Sequence, residues 1–380
     1  KFGFVWELKM KKLIDICDIQ YGYAFDSAYF TENSCYPPLA RIRDVKRGYS
    51  ETYYSGGYSE EYILASGDLL VGMDGEFNIA RWKCDGALLN QRVCRLLAKK
   101  GTNEEYLRFA MMKVLKEIER RTAFVTVKHL SAKELNKLQL VVPDLSTQNK
   151  VAEILSRLEK IIGLRRQELK RLDDLIKARF VELFGDPRSN PFGFEKKMLK
   201  DTCKVITGNT PSRAIAEYYG DYIEWIKTDN IVSGILNPTQ ATESLSEKGM
   251  NVGRTVEKDS ILMACIAGSI ASIGRVCITD RTVAFNQQIN AVVPEQYNIL
   301  FLYVLLQMSK DYLVEDINMA LKGILSKSKL EEKEFIIPPM DLQEQFSDFV
   351  KQVDKSKVKV QKALDETQKL FDSLMQQYFG

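Results

Sequence analysis

Residues 106–185 of this chain recur at a constant offset of 195 as residues 301–380. Each copy ends in a ladder of ten positions. The first runs Val151, Leu155, Leu158, Ile162, Arg165, Leu169, Leu172, Ile176, Arg179 and Leu183. The second runs Phe346, Val350, Val353, Lys357, Val360, Leu364, Thr367, Phe371, Leu374 and Tyr378. Steps of four and three alternate throughout, which is the a/d seam of a coiled coil. A lone amphipathic helix ordinarily packs on its own domain. Here the length, the strict spacing and the second copy favour pairing of the two helices with each other. Arg165, Arg179 and Lys357 interrupt the stripe, and polar rungs cost stability while setting register and orientation.

The duplication extends forward with a drifting offset. Leu13, Asp15, Cys17 and Gly22 match Leu199, Asp201, Cys203 and Gly208 at 186. Asp68 and Leu70 match Asp259 and Ile261 at 191, Gly75 and Cys84 match Gly268 and Cys277 at 193, and Asn90-Gln91 match Asn286-Gln287 at 196. We also align the basic pair Arg43 and Lys227. Drift confined to the front of each half marks loop insertions on a common scaffold.

Each head reads as short strands first, such as 69–73, 91–97, 222–227, 260–266 and 289–293. A helix at 104–121, with its counterpart at 299–316, follows. Shorter helices start after the N-cap candidates Ser131 and Ser326; Glu134 closes a capping box in the first, whereas Lys329 cannot in the second. Strands do not alternate regularly with helices, so the expected class is α+β rather than doubly wound. Long helices are expected from near Gln148 and Gln343, each about 36 residues or roughly 54 Å. The expected organisation is a head over 10–147, a helix over 148–186, a second head over 192–342 and a helix over 343–380. Met10 heads a natural start, so residues 1–9 are expected to be either a leader or an addition foreign to the natural chain, although Phe2-Gly3-Phe4 echoes Phe192-Gly193-Phe194.

A net charge of +3 is too small to announce a nucleic-acid binder, so any basic surface must be local. Seven cysteines without a CxxC pair, and a single His129, leave no zinc cluster. Reduced, buried thiols in a cytoplasmic protein are expected. The run 261–274 is too short and too rich in Gly and Ser to span a bilayer.

Several motifs then converge. TGNTPS (207–212) followed by EYYGDYIEWIKTDNI (217–231), GDLLVGMDGEFNIARW (67–82) with ALLNQRV (87–93), and the block LSAKELNKLQLVVPDLSTQNKVAEIL with its copy LSKSKLEEKEFIIPPMDLQEQFSDFV together resemble the specificity subunit of Type I restriction-modification systems. The resemblance covers nearly the whole chain. Each motif is weak alone; in this order, twice, they are specific. The resemblance implies two target-recognition domains, each reading half of a split DNA sequence. It also implies an antiparallel helical spacer and docking of two adenine-N6 methyltransferase subunits, joined by restriction-translocase subunits. S-adenosylmethionine and ATP are then expected on those partners, with no cofactor on this chain.

The candidate DNA contacts in the first head are Arg41, Arg43, Lys46, Arg47 and Tyr49, then Arg81 and Lys83. In the second they are Asn209, Thr210, Ser212, Arg213, Lys227, Thr228, Asn230, Ser269 and Arg275. Arg pairs bidentately with guanine, Asn with adenine, and Lys with phosphate. If the heads read different words, a residue common to both is a poor discriminator. Asn90-Gln91 and Asn286-Gln287 are therefore expected to build a turn or touch phosphate. Discrimination is expected from Arg81 and Lys83 in one head, and from 209–213 and 269–275 in the other.

Nothing points to catalysis in the chain itself. Ile337-Pro338-Pro339-Met340 lacks the polar and aromatic ends that an adenine methyltransferase motif requires, and no Walker A sequence is present. A nuclease forced from Asp144 and Glu195-Lys196-Lys197 would need segments flanking a long helix to converge. His129 has Ile324 as its repeat partner, which suits packing better than general-base work. Two other classes remain open: a coiled-coil scaffold with no DNA role, and a cryptic nuclease or methyltransferase.

Overall fold

The computed structural model describes residues 10–121, 129–317 and 323–380. The Phe2-Gly3-Phe4 echo and the leader expectation at 1–9 lie outside the described residues. The chain forms two compact units, one of Lys1–Arg165 with Ala363–Gly380 and one of Arg166–Lys362. Both long helices pass from one unit to the other.

The two heads share a plan. A four-stranded antiparallel sheet in the first has the order Cys17–Tyr21, Val93–Ala98, Leu69–Gly72, Ile79–Arg81. In the second the order is Cys203–Thr207, Ile289–Pro294, Ile261–Ala264, Val276–Ile278. Beside it, Leu39–Ala40 runs parallel to Ala87–Leu89, just as Trp225–Ile226 runs parallel to Ala284–Phe285. Helix Glu104–Arg121 follows the first sheet. Its counterpart is broken, into Ile299–Met308 and Lys310–Val314, with Ser309 at φ −95°, ψ 15° between them. The expected continuous helix over 299–316 is thus two. Ser131 closes its capping box with Glu134, whereas Ser326 caps through the Lys329 amide alone. Mixed strands and helices of this kind make each head α+β.

Backbone hydrogen bonds test the repeat register directly. Gly22 N donates to Val93 O and Gly208 N to Ile289 O, both at 3.0 Å. A Cβ at Gly22 would lie 2.0 Å from Asn90 O, and one at Gly208 2.1 Å from Asn286 O. Only glycine permits that approach, so the 186 and 196 offsets hold. The 191 offset is corrected by one residue. Strand pairing puts Leu69 opposite Leu96 and Ile261 opposite Val292, which are themselves equivalent, so Leu69 matches Ile261. Asp259 then corresponds to Gly67, and both take positive φ, +62° and +97°. Identity of Asp68 with Asp259 was misleading because aspartate tolerates the left-handed turn that glycine fills in the other copy. Cys84 and Cys277 are likewise not equivalent. Cys277 is buried within a strand, at the position of Ala80, and Cys84 is exposed beyond its strand. Gly75 has φ +67°, and Gly268 does not take a positive φ.

The long helices are Leu145–Phe184 and Met340–Phe379, 40 residues each, or about 60 Å. The first begins three residues before Gln148 because Asp144 caps it, accepting from Thr147 N at 3.1 Å. All ladder positions on both helices are buried or half-buried. In the first unit Val151 lines a small cavity with Gln377 and Tyr378, and Arg165 donates to Ala363 O and Thr367 Oγ1. In the second unit Asp173 meets Lys357 at 2.7 Å, and Phe180 and Phe184 lie 5.6 and 5.5 Å from Phe346. In each unit one helix ascends as the other descends, which is antiparallel pairing. Arg165 and Lys357, two of the rungs that interrupt the apolar stripe, find partners across the seam. Phe180, Phe184, Phe301 and Phe346 are fully buried in one cluster; truncating any of them to alanine costs about 3–5 kcal/mol.

A duplicated latch fixes each helix to its head. Gln148 Oε1 accepts from Asn103 N at 2.8 Å, and its Nε2 donates to Pro143 O at 2.8 Å. Gln343 repeats this with Asn298 N at 2.9 Å and Pro338 O at 2.8 Å. Both glutamines are buried.

Candidate nucleic-acid interface

After the parallel strand of each head the chain opens an eight-residue turn in the same way, at 41–48 and at 227–234, through Ile42–Asp44 and Thr228–Asn230. The backbones then diverge, with Val45 helical (φ −55°, ψ −51°) and Ile231 extended (φ −94°, ψ 91°). Arg41 N donates to Asp44 Oδ2 at 3.2 Å, and Lys227 N to Asn230 Oδ1 at 3.0 Å. Val45 and Ile231 are buried plugs. Gly48 and Gly234 close the turns at φ +78° and +83°. Lys227 therefore corresponds to Arg41, which corrects its alignment with Arg43. The residue matching Arg43 is Asp229.

The two framework cations are tied inward. Arg41 donates from Nη2 to Thr52 Oγ1 at 2.7 Å. Lys227 pairs with Glu243 and lies 5.1 Å over the Trp225 ring. Arg47 binds buried Asp44 and covers Tyr49 at 4.9 Å; the Asp44 hydrogen bond raises its guanidinium further above its ordinary value. Lys83 joins this group by donating to Arg47 O at 2.7 Å. Lys46 is exposed, 3.9 Å from Glu76. Arg43 is exposed and has no side-chain partner among the described residues.

Arg81 is placed elsewhere. It pairs with Glu104 at 2.8 Å and with Glu105, and donates to Gly67 O at 2.6 Å. Its donors bind the helix Glu104–Arg121 to the sheet, so it is an internal strut rather than a free fork.

In the second head the loop 209–213 gathers around Trp225. The indole Nε1 donates to Asn209 O at 3.3 Å, and Arg213 covers Trp225 and Tyr219 at 5.2 and 4.5 Å. Arg213 shares Glu243 with Lys227, and their hydrogen bonds hold that carboxyl below its ordinary range. Asn209 spans Val252 O and Arg254 N, at 2.9 and 2.7 Å. Thr210 reaches Gln287, Ser212 is exposed, and Thr228 is half-buried beside Asn230. Asn230 Nδ2 donates to Thr239 and Gln240 O at 3.2 and 3.1 Å. Ser269 and Arg275 belong to another loop. Ser269 meets Ser272 at 3.1 Å, and Arg275 lines a cavity of about 410 Å³ with Asp173, Lys177, Asp354 and Lys357 of the long helices.

Asn90 and Asn286 are buried and shape their turns. Each donates its amide to the parallel strand, to Ala40 O at 3.3 Å and Ile226 O at 3.0 Å. His129 is exposed and meets Asp74, which also binds Arg92. The expected packing role does not hold for its side chain. Its backbone bridge to Asp74 does repeat as Ile324 to Ile266. Among the described residues no cluster could hold a metal, and no helix is long and apolar enough to cross a membrane.

The sequence profile of the Type I restriction modification DNA specificity domain matches this chain twice, over residues 6–173 and 191–367. The chain belongs to the Type I restriction-modification specificity family. It is 28% identical to the specificity subunit of the Type I restriction enzyme EcoBI of Escherichia coli, over 96% of this chain and 84% of that one. It is 32% identical to the HindI specificity subunit of Haemophilus influenzae, over 40% of this chain and 37% of that one. The S subunit crystal structure from M. genitalium superposes with TM-score 0.62 over 100% of this chain and 98% of that one, at 14% identity. A chain from a structure on assembly of the type I R-M system gives TM-score 0.55 at 15% identity, covering 98% and 99%. These two likenesses carry the fold.

As a member of the specificity family the chain is the non-catalytic component of a Type I restriction-modification system. The motif reading passed over Glu243 and Asp44, which hold the candidate cations Arg213, Lys227 and Arg47, and Asp229, which stands at the position of Arg43. The 186 offset, carried twenty residues beyond Gly22, pairs Arg41 with Lys227 and Arg43 with Asp229, so the last of these was within reach.

Proposed function

We propose that each head reads one word of a bipartite DNA target, and that the chain presents this target to two adenine-N6 methyltransferase subunits, with restriction-translocase subunits joining that core. The observation that carries this reading is the shared turn scaffold. Two heads open this turn on the same side-chain cap and the same buried plug, yet expose different polar side chains around it. That is the arrangement expected of one fold reading two sequences. Loops 41–49 and 83, and 209–213 with 227–230, supply cations, amides and hydroxyls suited to phosphates and base edges. The paired helices would set the gap between the words. Their outward faces support protein docking, since Ile154, Ile161, Leu164 and Leu370 in one unit, and Leu175, Val181 and Val358 in the other, are exposed off the ladder. S-adenosylmethionine and ATP would be held by the partners, in the cytoplasm.

Selection from random duplexes tests this. The chain co-purified with its methyltransferase should enrich two words at one fixed gap, bound 10³-fold or more above random DNA. Enrichment no greater than with the methyltransferase alone would leave only the scaffold reading.

A further inference from the structure

We infer that position 43 of the first head and position 229 of the second are a specificity switch, in which Arg43 reads a guanine and Asp229 reads a cytosine. This rests on the DNA-reading function proposed above. The turn scaffold divides its own residues into constant and variable ones. Positions 41/227, 44/230, 45/231 and 48/234 share a framework: the 41/227 amide donates to the 44/230 side chain, 45/231 is a buried aliphatic plug, and 48/234 is a glycine at positive φ. Positions 42/228, 43/229, 46/232 and 47/233 differ between the heads.

Three of the four variable positions are engaged by the protein in at least one head. Ile42 packs on the sheet, where a Cβ at Gly72 would meet its Cγ1 at 3.1 Å. Arg47 is bound to Asp44 and Glu51. Val232 is half-buried and carries no hydrogen-bonding side chain. Position 43/229 alone is exposed in both heads and polar in both. Neither Arg43 nor Asp229 has a side-chain partner among the described residues.

The two side chains are opposite in sign, and base chemistry distinguishes them. A guanidinium fork matches guanine O6 and N7, and a carboxylate accepts from cytosine N4. Near DNA a carboxylate also rejects. It repels the acceptor atoms of guanine and thymine and gains nothing from phosphate, so it acts by exclusion as well as by contact. In a turn that meets DNA, as proposed above, an exposed acid weakens non-specific binding to phosphates, which sets Asp229 apart from the cations around it.

The test uses the whole complex. Chain variants are co-expressed with the methyltransferase partners in a host without other adenine methylation, and methylated sites are mapped genome-wide. Arg43→Ala should relax one guanine position in one half-site, with discrimination there falling roughly 5- to 150-fold, and leave the other half-site unchanged. Asp229→Ala should relax one cytosine in the other half-site only. Asp229→Arg should move the preference at that position toward guanine. Unchanged preferences at both half-sites would overturn the switch, as would a uniform loss across all sequences. If Asp229→Arg abolishes methylation, Asp229→Asn decides. It keeps the size of the side chain, and a retained cytosine preference would count against the inference. Failure of the wild-type chain to direct any methylation would instead overturn the DNA-reading function itself.

Discussion

Gln343→Leu should loosen the second unit at the point where its head meets its long helix. Leucine keeps roughly the volume of glutamine and removes both hydrogen bonds. Pro338 O, which is buried, loses its donor at 2.8 Å, and Asn298 N, which is partly buried, loses its acceptor at 2.9 Å. A buried group left unpaired costs about 1–3 kcal/mol, and a partly buried one about 1. The expected destabilisation is therefore about 3 kcal/mol. For a unit of this size each kcal/mol lowers the melting temperature by about 2–4 °C, so the shift is about 6–12 °C. Calorimetry should show one of two transitions moving, because the latch belongs to one unit. Gln148→Leu should move the other, and the double variant should show both shifts independently. Hydrogen exchange of the Asn298 amide should accelerate at the same time. A change under about 0.5 kcal/mol, with Asn298 still protected, would show that the latch does not hold the helix.

Three further outcomes follow from the geometry. Burial raises the thiols of Cys17, Cys94, Cys203, Cys265 and Cys277 to about 12, so a maleimide at pH 7.5 should label only Cys35 and Cys84 in the native protein, as counted by mass spectrometry. Burial would raise the Glu105 carboxyl, but hydrogen bonds and charge from Arg108 and Arg81 outweigh it and hold it below its ordinary value. Its contribution is present above the unfolded carboxylate pKa of about 4.3 and is lost as pH falls through the lower folded value; Glu105→Gln should flatten the acid limb of first-unit stability in a pH series of melting curves. Deleting one heptad from each long helix removes about 10.5 Å, and methylation mapping should show the gap shortened by up to about three base pairs at about 3.4 Å per base pair.

The ladder was legible because a packed helix seam imposes its period on the sequence whatever the residues are. Every rung, including Arg165 and Lys357, is at least half-buried. The α+β class and the capping box at Ser131 were legible for the same reason, being local chemistry. The register of the front half was not. Aligning Asp68 with Asp259 followed side-chain identity, whereas the backbone required a left-handed residue, which is Gly67 in one head and Asp259 in the other. The start of the first long helix was missed because the Asp144 cap lies outside the repeated stripe. Among the candidate contacts, residue type predicted charge but not occupancy. Arg81 has the side chain of a base reader, but Glu104 and Glu105, more than twenty residues away in sequence, bind it. Arg41 and Lys227 are tied down in the same way, and that leaves Arg43, with Asp229 in the other head, as the unengaged pair. Long-range ion pairing has no periodicity, so a single sequence does not display it.

The claim beneath all of this is that one duplicated chain brings two different DNA words to a methyltransferase. Genome-wide mapping of adenine methylation, in cells carrying the methyltransferase with and without this chain, measures it most directly. A two-word motif with a fixed gap, present only with the chain, is the predicted result. Identical methylation in both strains would contradict the account.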